Sequence, residues 1–238
     1  MPRATTAAIA LAVSAFMIVG LSLAQAQILM PFEQGSSAHY VTDDGSPGFV
    51  LDQTGSRAHL QFDGSNEVVV LDRNASRVGG ASLLRDDGVP VIEIDPIGLM
   101  TVVTETGSTY ATEDRTVEPL QLTGRSVDAV KETVQIVETR LSKTFGRAVS
   151  IEVDWASFDG DMARAAGEHQ VYVAAEALQK LLDAGDTGAA AITTIKIIAS
   201  DRINATPSGE TLTLQIVPAL GYGAGFSSAL LADLLASS

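Results

Sequence analysis

One phrase occurs twice in this chain, 20 residues apart. Val50-Leu51-Asp52 is followed after three residues by Ser56-Arg57, and Val70-Leu71-Asp72 is followed after three by Ser76-Arg77. Between the copies Ala58, Leu60 and Phe62 alternate with His59, Gln61 and Asp63. A period of two puts successive side chains on opposite faces, so this segment reads as a strand with Ala58, Leu60 and Phe62 turned to one side. The spacing therefore predicts a strand–turn–strand unit laid down twice, the start of an antiparallel meander.

The same signals continue downstream. Strands are expected near residues 48–52, 57–63, 67–72, 81–86, 89–95, 98–105 and 109–113. They are separated by turn-forming clusters such as Thr54-Gly55, Asp63-Gly64-Ser65-Asn66, Gly79-Gly80, Asp87-Gly88 and Thr106-Gly107-Ser108. Ile92 and Ile94 oppose Glu93 and Asp95, and the run Val68-Val69-Val70-Leu71 has no polar face. That strand should be covered on both sides. Residues 27–47 read as an irregular lead-in with a short strand around His39 to Thr42. The pattern Gly48-Phe49-Val50-Leu51-Asp52, Leu60, Phe62-Asp63-Gly64-Ser65, Glu67-Val68 and Leu71 resembles an uncharacterised family of exported bacterial proteins known only as a domain of unknown function, over about residues 48–105. The resemblance implies an exported protein of related fold and brings no chemistry with it.

Beyond residue 125 the period changes. Val127, Val130, Val134, Val137 and Leu141 recur at spacings of three and four, the apolar stripe of an amphipathic helix. Ser126 is its expected N-cap and Gly146 its terminator. Val149, Ile151, Val153 and Trp155 then alternate with Ser150, Glu152 and Asp154 as a strand. A small helix is expected around Asp161 to Ala166, and a second over Ala174 to Ala184. Ile192 to Ala199 and Glu210 to Val217 read as strands joined by a turn at Pro207-Ser208-Gly209, and a last helix covers Ser228 to Ala236. The fold class is α+β: an N-terminal antiparallel meander over 48–114, then a small α+β unit over 125–238 with helices packed on one side of a short sheet.

The chain opens with Arg3, an uncharged run from Ala7 to Leu23 and Ala24-Gln25-Ala26, the pattern of a secretory signal peptide over residues 1–26. The expected location is periplasmic or secreted; an uncleaved leader would instead tether the protein to a membrane. The chain lacks cysteine, so no disulfide framework, thiolate catalysis or thiolate-bound zinc is available. A formal net charge of −14 repels phosphate backbones and anionic membrane surfaces, which argues against nucleic acid as a partner. All four lysines, Lys131, Lys143, Lys180 and Lys196, fall in the second half.

Potential sites are scattered. His39, His59 and His169 occupy unrelated contexts, none with a second histidine at ligand spacing, and His59 reads as a residue of a solvated strand face. Glu168 adjoins His169, but sequence neighbours on a helix or strand face different ways. Ser227 and Ser228 lack a Gly-x-Ser-x-Gly elbow. Gly221-Tyr222-Gly223-Ala224-Gly225 lies between a strand and a helix, a setting for anion binding, without the spacing of a dinucleotide fingerprint; it reads as a turn that lets Tyr222 and Phe226 pack. Glu152, Asp154, Asp159 and Asp161 cluster around Trp155, and a pair of carboxylates beside an aromatic suits glycoside hydrolysis. Asp43, Asp44, Asp86 and Asp87 read as turn formers rather than a calcium loop. No catalytic, cofactor or metal residue is assigned, and no cofactor is implied. The sequence points to an exported binding or envelope-associated module with a protein or small-molecule partner. The alternative is a hydrolase of polysaccharide or ester, using the carboxylates near Trp155 or a serine near the C-terminal glycines.

Overall fold

The computed structural model describes residues 35–75, 79–104, 107–186 and 191–237. The signal-peptide reading falls on residues outside this set.

The first half is a closed barrel of eight antiparallel strands in simple up-and-down order. The strands are β1 (Ser37–Thr42), β2 (Phe49–Asp52), β3 (Ala58–Phe62), β4 (Val69–Ala75), β5 (Ala81–Leu84), β6 (Pro90–Ile94), β7 (Met100–Thr104) and β8 (Gly107–Thr116). The meander expected from the sequence is present, but it does not stay open. The segment read as a short strand in the lead-in is β1, and it pairs with β2 on one side and β8 on the other. Closure removes both sheet edges.

The repeated phrase marks β2 and β4, which flank β3 in register: Leu51 opposite Leu60, and Leu71 opposite Ala58. Leu51, Leu60 and Leu71 fill the barrel interior with Phe49, Leu83, Ile92 and Val102. An eight-stranded barrel is about wide enough for its own side chains to fill. The two aspartates of the phrase diverge. Asp52 is buried and accepts hydrogen bonds from the Thr54 N–H and hydroxyl and from the Leu120 N–H, whereas Asp72 is exposed and pairs with Arg57 at 2.8 and 2.9 Å.

The second half contains α1 (Val127–Phe145), β9 (Ser150–Val153), α2 (Gly160–Asp183), β10 (Thr194–Ala199), β11 (Asn204–Ser208), β12 (Thr211–Ile216) and α3 (Ser228–Ala236). Its sheet has the order β11-β12-β10-β9; β10 runs parallel to β9 and β12, and β11 is an antiparallel edge. Ile151, Ile195, Ile197, Leu212 and Leu214 form one buried face under the three helices, while Glu152 and Lys196 point outward. α1 starts and stops as its sequence demands: Ser126 Oγ accepts the Ala129 N–H, and Gly146 closes the helix at φ 65°.

Two expectations are corrected. The two helices expected at 161–166 and 174–184 are one helix, α2, of 24 residues. Gly167 does not break it, because the Phe158 ring fills the space beside the glycine; an added Cβ would sit 2.8 Å from that ring. The strands expected at 192–199 and 210–217 are not joined directly by the Pro207 turn. Residues 204–208 form the edge strand β11, which turns at Gly209, φ 59°, into β12, so β10 and β12 run parallel. Proline is tolerated in β11 because it lies at an edge.

Candidate functional site

The two halves have separate hydrophobic cores, and the contacts between them include several hydrogen bonds. Two barrel carboxylates hold the start of α3. Asp86, at the β5–β6 turn, accepts the Ser227 N–H at 2.7 Å and the Ser227 hydroxyl; Glu67, just before β4, accepts the Ser228 N–H at 2.7 Å and the Ser228 hydroxyl. Negative charge is favourable at a helix N-terminus, where backbone N–H groups are otherwise unpaired. Burial pushes the Glu67 carboxyl above its ordinary range, and the Ser228 bonds oppose that rise. Ser227 and Ser228 therefore spend their hydroxyls on carboxylates in docking the barrel.

The Val68–Leu71 run is covered on both sides, as its composition requires. Val69 and Leu71 join the barrel core, and the turns at Pro218–Ala224 lie against the outer wall of β4. Val68 donates its N–H to His169 Nε2 of α2 at 3.0 Å. That bond fixes the neutral tautomer with the proton on Nδ1. Burial, with His59 as a second cause, pulls the His169 pKa down to about 4. Tyr222 stands edge-on between the two rings, with centroids 5.3 Å from His59 and 5.0 Å from His169. His59 is thus not a solvated residue. It is half-buried at the junction with Nδ1 3.9 Å from Asp52 Oδ2, and burial lowers its pKa against the pull of Asp52. His39 is elsewhere, buried at the barrel wall with Nε2 3.1 Å from Asp63 and Nδ1 3.3 Å from Asp114. Gly48 is required beside it, since a Cβ there would lie 2.7 Å from both Asp63 Oδ2 and the Tyr40 carbonyl.

The linker after the barrel is strapped to α2. The Arg125 N–H donates to the Asp161 carbonyl, and the Arg164 side chain donates to the Arg125 carbonyl. The Arg125 guanidinium grips Glu168, with Nη2 3.1 Å from Oε1 and Nε 3.0 Å from Oε2, and the Thr133 hydroxyl donates to the same Oε1. Glu168 and His169 do face different ways, the first toward the linker and α1, the second toward the barrel.

Between strap, barrel and Tyr222 runs a groove of about 290 Å³ whose floor is α2. Arg125, Glu168, His169, Tyr172 and Tyr222 line it together with Gln61, Asn66 and Thr123. Leu122 separates it from a wider crevice of about 610 Å³ over the carboxyl ends of β9, β10 and β12, lined by Ser157, Asp159, Met162, Ser200, Pro218 and Gly221. The ends of parallel strands are where open α/β sheets bind ligands. The structure thus brings Asp159 and the glycine turn to one crevice, and Tyr222 and His169 to the adjoining groove. Ser157 has its hydroxyl donated to the Asp154 carbonyl and accepts the Ala199 N–H. Glu152, Asp154 and Asp159 are exposed, and Asp161 pairs with Arg164.

The glycine turn packs rather than cradles. Gly221 takes φ 61°, and Gly225 leaves no room for a Cβ, which would meet Gln170 at 2.2 Å. Asp44 and Asp87 accept the N–H groups of Ser46 and Val89 as turn formers. Among the described residues no group of three or more histidine and carboxylate side chains is placed to hold a metal ion, and no single helix is long and apolar enough to cross a membrane.

An all-β barrel docked on a helix-covered sheet, with a groove at their junction, defines a two-layer α+β module. The chain belongs to a family known as a domain of unknown function (DUF4908), whose model matches residues 24–235. No curated protein and no solved structure matches it.

Proposed function

We propose that this is an exported, non-enzymatic binding module that holds a small ligand in the groove along α2, where barrel and helical layer meet. The observation that carries this reading is the pairing within the groove and beside it. Three groups with the makings of a nucleophile or base already have partners: Ser227 donates to Asp86, Ser228 to Glu67, and Glu168 is paired with Arg125. A hydrolytic nucleophile needs a base within hydrogen-bond reach, and the hydroxyls of Ser227 and Ser228 donate to Asp86 and Glu67 rather than to a histidine. A groove whose carboxylate is already held by an arginine favours recognition over turnover. Export rests on the leader pattern of residues 1–26.

The test is to produce the full chain with its leader, collect exported material, and determine its N-terminus. The purified protein is then soaked in the small-molecule fraction of a cell extract, washed, denatured and analysed by mass spectrometry. The expected result is an N-terminus near Gln27 and one compound retained in stoichiometric amount. Thr123→Trp, which places a large side chain at the exposed groove rim, should release it. A wild-type chain that retains nothing would refute the binding reading.

A further inference from the structure

We infer that the groove takes an uncharged, hydroxyl-rich ring, that is, a neutral glycan unit, an assignment that rests on the binding-module reading above. The groove offers no net charge to a ligand. Its one cation, Arg125, and its one carboxylate, Glu168, face each other at 3.0–3.1 Å and neutralise each other. A charged ligand would have to break that pair or be desolvated without a counter-ion, and either is costly. The remaining groups are those that recognise polyols. Tyr172 and Tyr222 supply aromatic surface, against which the C–H face of a sugar ring can lie. Asn66 and Thr123, exposed at the rim, each supply both a donor and an acceptor. His169, buried at the groove wall, has Nε2 occupied by the Val68 N–H and its Nδ1 closed off from solvent, so it gives the groove a wall rather than a charge. The volume of about 290 Å³ stands at the low end for small-molecule pockets, about 300–1,000 Å³, which suits one ring of an oligosaccharide rather than a long chain.

The experiment is saturation-transfer NMR and calorimetry on the full chain with cellobiose, maltose and chitobiose, and with glucose 6-phosphate and glucosamine as charged counterparts. At least one neutral disaccharide should bind, more tightly than both charged sugars. Asn66→Ala and Thr123→Trp, both at exposed positions, should each weaken it by at least about tenfold, or about 1.4 kcal/mol. Tyr172→Phe, which keeps the packing, should weaken it less. Absence of binding by all three disaccharides up to about 10 mM, weaker than any useful recognition, would overturn the glycan assignment. So would a charged sugar that binds better than its neutral relative. Should the extract experiment also retain a compound in wild type but not in Thr123→Trp, and that compound be ionic, only the ligand class falls; an empty chain in both experiments fells the binding reading as well.

Discussion

Acidification from pH 7 to pH 5 should loosen this fold through His169, and His169→Gln should abolish that part of the loss. In the folded chain the imidazole has a pKa of about 4, against 6.5 for the same group in water. Its Nε2 accepts the Val68 N–H at 3.0 Å, so a proton added there would face another hydrogen across a buried contact. A base whose folded pKa is depressed contributes stability that is present above the unfolded value and is lost as pH falls toward the folded one. The relevant window is therefore about pH 6.5 down to about pH 4. The gap of about 2.5 pH units is worth about 3 kcal/mol in full, at about 1.36 kcal/mol per unit, and about 2 kcal/mol of it should be gone by pH 5. Glu67, whose pKa is raised by burial, acts in the opposite direction, since its protonated form suits the folded interior as pH falls. Glutamine can accept the Val68 N–H and does not titrate, so the difference between the two chains isolates His169 from Glu67 and, to first order, from His59. The assay is urea unfolding at pH 7 and pH 5, followed by the fluorescence of Trp155, the single tryptophan. Equal losses of stability in wild type and His169→Gln would refute the account of His169 as a buried neutral acceptor.

Ser228→Ala removes the hydroxyl donor from Glu67 and leaves a buried carboxylate with one bond fewer; a loss of roughly 1–3 kcal/mol in urea unfolding is expected, and an unchanged midpoint would mean that Glu67 is solvated. Val134→Asp places a charge among buried residues of α1 and the sheet. It should cost several kcal/mol and lower the melting temperature sharply, so a wild-type melting curve would show that this face of α1 is not buried.

Most barrel strands were legible because one face is inside and the other is more open to water. The alternation of Ala58, Leu60 and Phe62 or of Ile92 and Ile94 is a local record of that asymmetry. Closure was not legible, because the pairing of β1 with β8 joins residues far apart in sequence and leaves no local mark. α1 announced itself for the same reason as the strands, with Val130, Val134, Val137 and Leu141 buried beneath a polar face. α2 did not. From Ala165 to Val171 every residue is buried, whatever its polarity, because barrel, linker, α1 and α3 surround it. A helix enclosed on all sides loses its stripe, and Gly167 then looks like a break. The groove followed the same rule. His169, Tyr222 and Arg125 come from three segments, and no spacing connects them. Only the unbroken valine run at 68–70 hinted that something must cover the outside of β4.

The clamp between Glu67, Asp86 and the two serines has a consequence for how the molecule is assembled. Residues 37–116 contain every strand of the barrel, so that unit can close as soon as it emerges during synthesis. Its two docking acids then stand in water until positions 227 and 228 have been made, more than a hundred residues later. Seating of α3 on the barrel is thus the last of these contacts to become possible. Shortening the polypeptide ahead of Ser227 would leave Glu67 and Asp86 without their serine partners, and the junction resting on contacts such as that of Val68 with His169.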